Sequence, residues 1–319
     1  MSGGLARMIA VRTGLGLLTL LLISVLIFGA MGLLPGDVAE AILGQNRTPE
    51  TVAALRTQLG LDQPAWSRYL DWIGGMLTGD FGRSLASGRP VADLIGGRLV
   101  NTLSLAAYAA LISVPLSIGL GILAALWRGR LADRGISIGA LTAISMPDFF
   151  VAYVMIFLFA VTWGLLPSLA AVSPGAGLGE WLYRATLPAL ALTLATSAHM
   201  LRMTRASIVN VLASPYVEMA KLKGLTPSRV VVRHALPNAL APIINVVAVN
   251  LAFLIVGVVV VETVFVYPGL GQLLVDSVAA RDVPVVQAAC LIFAAAYVSL
   301  NLIADILAIL TNPRLRTAR

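Results

Sequence analysis

Groups able to do acid–base or nucleophilic chemistry are scarce in this chain of 319 residues. There are two histidines, His199 and His234, one cysteine, Cys290, and two lysines, Lys221 and Lys223. A zinc hydrolase would need a string such as H-E-x-x-H, which sets two histidines on one helical face, and none occurs. A phosphate-binding loop needs G-x4-G-K-[ST]. Neither lysine follows a glycine, so ATP hydrolysis by this chain is excluded. A single cysteine inside an apolar run closes no intrachain disulfide and builds no Cys-rich metal site; it reads as a small buried side chain. What remains are polar groups that could bind, gate or dock without covalent chemistry.

Apolar helices must position those groups. Only 12% of residues are charged, 59% are hydrophobic, and the mean hydropathy is +0.92; soluble domains carry about 25% charged residues. Apolar runs of about 20 residues recur, the length of helix that crosses a hydrocarbon core of about 30 Å. A transmembrane barrel would alternate polarity over segments of about 10 residues, and no such pattern is visible. The expected fold class is an all-α polytopic membrane protein. Spans are expected at 13–34, 102–126, 136–166, 187–203, 239–266 and 285–310. The first exceeds the core of a signal peptide and reads as a retained anchor. The third is interrupted at Pro147-Asp148 and should tilt or break there.

Six spans place both termini on one side. If that side is cytoplasmic, the inner segments hold fourteen basic residues against only Asp133 and Glu218. The outer segments hold eight basic and ten acidic residues. The positive-inside rule selects this orientation. The chain then divides into an N-terminal region with the first span (1–34), an outer helical region (35–100) and a membrane core (101–319). A cytoplasmic loop of that core covers residues 204–238.

In the outer region, TPETVAALRTQLGL reads as a helix with Thr48 as N-cap, Pro49 at the first position and Gly60 just past the end. The next helix places Trp66, Tyr69 and Trp72 on one face. That face is either an anchor in the lipid headgroups or a docking surface for an extracytoplasmic partner.

The cytoplasmic stretch YVEMAKLKGLTPSRVVVRHALPNALAPI, 216–243, is basic and strongly punctuated. Ser214-Pro215 starts a short helix, Gly224 ends it, and Thr226-Pro227 starts a second. The first helix is too short to be stable alone in water and must dock on something. Tyr216, Met219, Ala220 and Lys223 share one face. On the residues alone, the partner is either anionic lipid or protein.

Ionisable residues inside spans cost roughly 2.5–3.5 kcal/mol each at the centre, so each calls for a reason. Glu262, with Tyr267, Gly269 and Gly271 of the following YPGLGQ, is a candidate gate or pathway element. Glu262 either meets a substrate amine or accepts hydrogen bonds from the glycine-rich loop, and the second, structural role is the favoured one. Asn301 and Asp305 share a face at i, i+4 and should bond a neighbouring helix. Asp148 should cap the helix after the break, and His199 should be a satisfied core histidine.

Glu218, Ala220 and Gly224, followed by Leu236-Pro237, resemble the EAA loop of ABC importer permeases, E-x-A-x3-G and then L-P, with Met219 in place of the central alanine. LPGDVA, LGLD, GDFGRS and RPVADLI resemble the outer region of the dipeptide/oligopeptide-type permeases. HALPNALAPI, VVVVETVFVYPGLGQLLVDSVAARDVPVVQ and NLIADILAILTNPRLR resemble their second half. The resemblance implies a coupling helix seated in a groove of the ATP-hydrolysing subunit, formed by Tyr216, Glu218, Met219, Ala220, Lys221, Lys223 and Gly224. It implies half of a peptide translocation pathway in a bacterial or archaeal cytoplasmic membrane. The implied partners are a second, related permease in a heterodimer, two ATPase subunits that bind ATP and Mg, an extracytoplasmic binding protein and membrane lipid. No cofactor in this chain and no nucleic acid are expected. Related systems carry nickel or glycosides on the same fold. A secondary transporter is the rival class; it would show inverted repeats and paired interrupted helices, and it leaves the capped loop unexplained.

Overall fold

The computed structural model describes residues 2–33, 40, 43, 48–58, 60–172 and 175–311, with side chains described except at 2–6, 55, 58, 221 and 308–311. The motif at 34–39, Leu59, the side chain of Lys221, and Arg314, Arg316 and Arg319 therefore lie outside the described residues.

The described chain is helical, with one isolated bridge between Arg83 and Pro90. The helices are α1 (Ser2–Gly32), α2 (Pro49–Gln58), α3 (Ala65–Thr78), α4 (Val91–Leu126), α5 (Leu131–Ser145) and α6 (Asp148–Met155). After them come α7 (Leu178–Leu212), α8 (Pro215–Leu222), α9 (Pro227–Val264), α10 (Leu270–Ala279) and α11 (Val283–Thr311). By length and composition α1, α4, α9 and α11 can cross a membrane. A fifth crossing is available if α5 and α6, bent by 109° with the π-turn Ile156–Thr162, form one broken span. The expected interruption at Pro147 is thus present. Helix α7 is long enough, but it is not among the helices apolar enough to qualify.

The second helix of the 204–238 loop differs from expectation. It does not end before a span at 239; it continues from Pro227 to Val264 as one 38-residue helix. A π-turn at Val230–Ala235 makes this continuity possible. It lies just ahead of Pro237, whose ring would meet the carbonyl of residue 233 in a regular helix.

The chain forms two compact units. One comprises Met1–Gly16, Leu103–Tyr267 and Ala296–Arg319. Its centre is α7 packed along α9, with α5 and α6 on α7. Ala125, Ile208, Val231, Ala235, Ala239 and Ile243 form one of its buried clusters. Small residues let these helices approach closely. A Cβ added at Gly121 would stand 2.8 Å from Thr204 and 3.0 Å from the Leu201 carbonyl oxygen.

The other unit comprises Leu17–Thr102 and Pro268–Ala295. Val91, Ile95, Leu270, Leu273, Val285, Ala288 and Ala289 form its core. Asp282, 3% exposed, accepts hydrogen bonds from the Ser84 hydroxyl and the N–H groups of Leu85 and Ala86. The Thr102 hydroxyl accepts from the Leu270 N–H at 2.8 Å, and Asn101 donates to the Pro268 carbonyl at 2.8 Å. The polar residues of GDFGRS and AARDVPVVQ thus hold distant chain segments together. Helix α2 is capped at Thr48, whose hydroxyl accepts from the Thr51 N–H while the Thr51 hydroxyl accepts from the Thr48 N–H. Gly60 takes the left-handed conformation after its end. The Glu50 carboxyl, in the first turn, is held below the usual carboxylate range by a backbone hydrogen bond and by Thr48. On α3, Tyr69 and Trp72 pack on Phe28, the Ser24 and Tyr69 hydroxyls are 2.8 Å apart, and Trp66 is exposed.

Candidate functional site

Two features stand out in the first unit, a short helix between two long ones and an open cavity. Helix α8 is set by its punctuation. Pro215 occupies its first position, and the Ser214 carbonyl accepts from Val217 and Glu218. The Ser214 hydroxyl does not cap it; it donates back to the Val211 carbonyl. Gly224, at φ +78°, lets the Leu225 N–H return to the Ala220 carbonyl, the left-handed stop that a Cβ disfavours. Thr226 is extended, and Pro227 opens α9.

One face of α8 is anchored. Val217, Ala220 and Val230 are buried together against Val211, Leu212 and Leu225. Ala220 therefore does not share the outward face with Tyr216 and Met219, because the first turn of α9 covers it. The outward face is instead Tyr216, Met219 and Leu222, exposed by 47%, 55% and 77%, beside exposed Glu218 and Lys223. Leu222 belongs to this face and was not picked out by the spacing argument.

A second fastening lies nearby in sequence. Arg205 grips Asp133 with two hydrogen bonds, Nε to Oδ1 at 2.6 Å and Nη2 to Oδ2 at 2.8 Å. The Gly129 N–H adds a third at 2.9 Å. Asp133 is 4% exposed. Bidentate geometry of this kind is stiff and directional, and it ties α5 to the C-terminal part of α7. Ser137, in the string Gly135-Ile-Ser-Ile-Gly139, donates to Asp133 from within α5. That string has the letters of a hydrolase elbow, yet the serine sits in a helix and not on a strand-to-helix turn.

The cavity has a volume of about 610 Å³. Asp148 of α6 lines it, with Leu192, Ala195, Thr196, His199 and Met203 of α7 and the 245–261 stretch of α9, including Asn245, Asn250, Phe253 and Gly257. The break at Pro147 puts Asp148 at the first position of α6, and Pro147 itself holds the N-cap position. The expected capping role is not found; the carboxylate faces the cavity. Gly257 lies beside it: a Cβ there would make ordinary van der Waals contact with Asp148 Oδ2, at 3.7 Å. His199 is likewise not a core histidine but an exposed side chain of the cavity wall. Thr196 and Asn250 satisfy themselves on the Leu192 and Val246 carbonyls one turn back. Among the described residues, neither Asp148 nor His199 has a side-chain partner.

The remaining candidates are structural or sit elsewhere. Glu262 and Tyr267 are fully buried and do not line this cavity. Tyr267 receives a hydrogen bond from the Trp181 indole at 3.1 Å, and its N–H donates to the Glu262 carbonyl at 2.9 Å. In the second unit, Gly269 caps α10 in an extended conformation and Gly271 is buried in its first turn. Asp305 pairs with Arg12 of α1, as the neighbouring-helix expectation required. Asn301 instead donates to the Tyr297 carbonyl of its own helix. No group of three or more His, Cys, Asp or Glu residues suited to a metal occurs among the described residues.

Comparison with known proteins agrees with this architecture. The model of the binding-protein-dependent transport system inner membrane component matches residues 117–317, and the model of its N-terminal part matches 5–106. The glutathione transport system permease protein GsiC of Escherichia coli is 41% identical over 303 residues, covering 95% of this chain and 96% of that protein. The proteins of the same name from Shigella dysenteriae and Salmonella choleraesuis match to the same extent. A helical chain of apolar spans without a phosphate-binding loop, matched along nearly its whole length, belongs to the binding-protein-dependent inner-membrane components, the permeases of ABC importers, and is a multi-pass protein of the bacterial cytoplasmic membrane.

Proposed function

We propose that this chain forms half of the translocation pathway of a peptide importer and takes its mechanical input through α8. The substrate reading rests on the 41% identity to permeases whose name assigns them glutathione, a small peptide. The coupling reading rests on one observation: α8 is fastened underneath by Val217 and Ala220 and keeps Tyr216, Met219 and Leu222 exposed. A lever needs both a rigid back and a free face. Glu218 and Lys223 rim that face, where charges tune encounter more than affinity; Gly224 keeps its end closed.

In this reading the chain has six spans, with α7 as the fourth, and both termini are cytoplasmic. Helix α7 tolerates its polar residues because other helices of the bundle and the cavity cover them. ATP and Mg are bound by two partner ATPase subunits, which close and move α8 and with it α7 and α9. A second, related permease completes the pathway, and an extracytoplasmic binding protein delivers the peptide.

Two substitutions test the lever. Met219→Asp should leave insertion and thermal stability unchanged and reduce co-purification of the ATPase subunits at least about tenfold, the effect of losing a central apolar contact. Gly224→Pro cannot adopt φ +78° and should separate ATP hydrolysis from uptake in proteoliposomes. Undiminished uptake in both variants would remove α8 from the coupling path.

A further inference from the structure

Asp148 is an ionisable group in a helix pair apolar enough to cross the bilayer as one broken span. It is exposed to an open cavity and has no side-chain partner among the described residues. The other carboxylates of this unit that lie in or beside such helices are engaged: Asp133 by Arg205 and Asp305 by Arg12. Glu262 is buried and also has interaction partners. Arg184 is paired with Glu180, and no lysine or arginine lines the cavity. A carboxylate kept unpaired in a wall of apolar helices is costly unless a mobile cation or water compensates it.

We infer that Asp148 is a recognition point for the primary ammonium group of the transported solute. Its neighbours on the wall fit that task. His199 and Asn245 offer hydrogen-bond capacity for a polar backbone, while Phe253, Val256 and Met203 give an apolar surface for a side chain. Gly257 lies beside the carboxylate, within 3.7 Å of Oδ2 for an added Cβ, so a bulky side chain there would crowd it. A divalent metal fits less well, because Asp148 and His199 are the cavity's only strong ligands. The inference rests on the peptide reading only for the identity of the ammonium carrier.

The test uses the importer complex purified in detergent without its extracytoplasmic binding protein. It is titrated with Ala-Ala and with N-acetyl-Ala-Ala, with binding followed by saturation-transfer NMR. The wild-type complex should prefer the free amine by about tenfold, the size of a hydrogen bond to a charged group. Asp148→Asn should abolish the preference and Asp148→Glu should largely restore it. Gly257→Leu, which fills the approach without touching the charge, should weaken the free amine most. A preference that survives Asp148→Asn, or no preference in the wild type, overturns the inference even if peptide uptake by the intact importer is normal. An Asp148-dependent preference in an importer that takes up no peptide would instead sink the substrate reading alone. Tight Ni²⁺ binding lost in both Asp148→Asn and His199→Gln would assign the site to a metal and overturn the ammonium role.

Discussion

Asp282 is 3% exposed and takes hydrogen bonds from the Ser84 hydroxyl and from the N–H groups of Leu85 and Ala86. Asp148 is exposed to a cavity and has no side-chain partner among the described residues. Both follow a break in helical structure, yet one is fully engaged and the other is left open. A carboxylate with its acceptor sites filled has nothing to offer a ligand; it fixes chain segments. An open carboxylate contributes little to the fold and is free for a partner that comes and goes. Asp133 belongs with the first kind, since Arg205 and the Gly129 N–H occupy both of its oxygens.

Truncation should separate the two kinds. Asp282→Ala leaves a buried hydroxyl and two backbone donors without their acceptor and should cost about 3 kcal/mol, read as a lowered Tm of the purified complex. Asp133→Ala should cost about 2 kcal/mol, less because the Arg205 side chain keeps 29% of its exposure and can turn to water. Asp148→Ala should change stability by no more than about 0.5 kcal/mol while lowering peptide uptake at saturating, substrate-loaded binding protein. Equal stability losses at 148 and 282 would erase the distinction, and a neutral Asp282→Ala would show that the Ser84 turn holds without it.

Much of the 204–238 loop was legible in the sequence. Pro215, Gly224 and Pro227 act through local backbone rules, and their helix boundaries appear where those rules place them. The inward turn of Ala220 was not legible, because periodicity lists which residues share a face and cannot tell which face α9 will cover. The Asp133–Arg205 pair had a faint signal: Asp133 is one of only two acids in the segments that the positive-inside rule assigns to one side with fourteen bases. Which base it met, 72 positions away, depends on α5 crossing α7.

The sequence by itself determined that this protein is helical, lies in a membrane, lacks a phosphate-binding loop and carries a capped basic helix between two long elements. Those conclusions follow from composition, span length and glycine or proline punctuation, which act over a few residues at a time. Tertiary structure decided that His199 and Asp148 face a cavity, that Glu262 is buried outside it, and that α9 runs unbroken from Pro227 to Val264. These outcomes depend on which helices pack together, because a polar side chain becomes a structural fastener or an open binding group according to what its neighbours leave for it to touch.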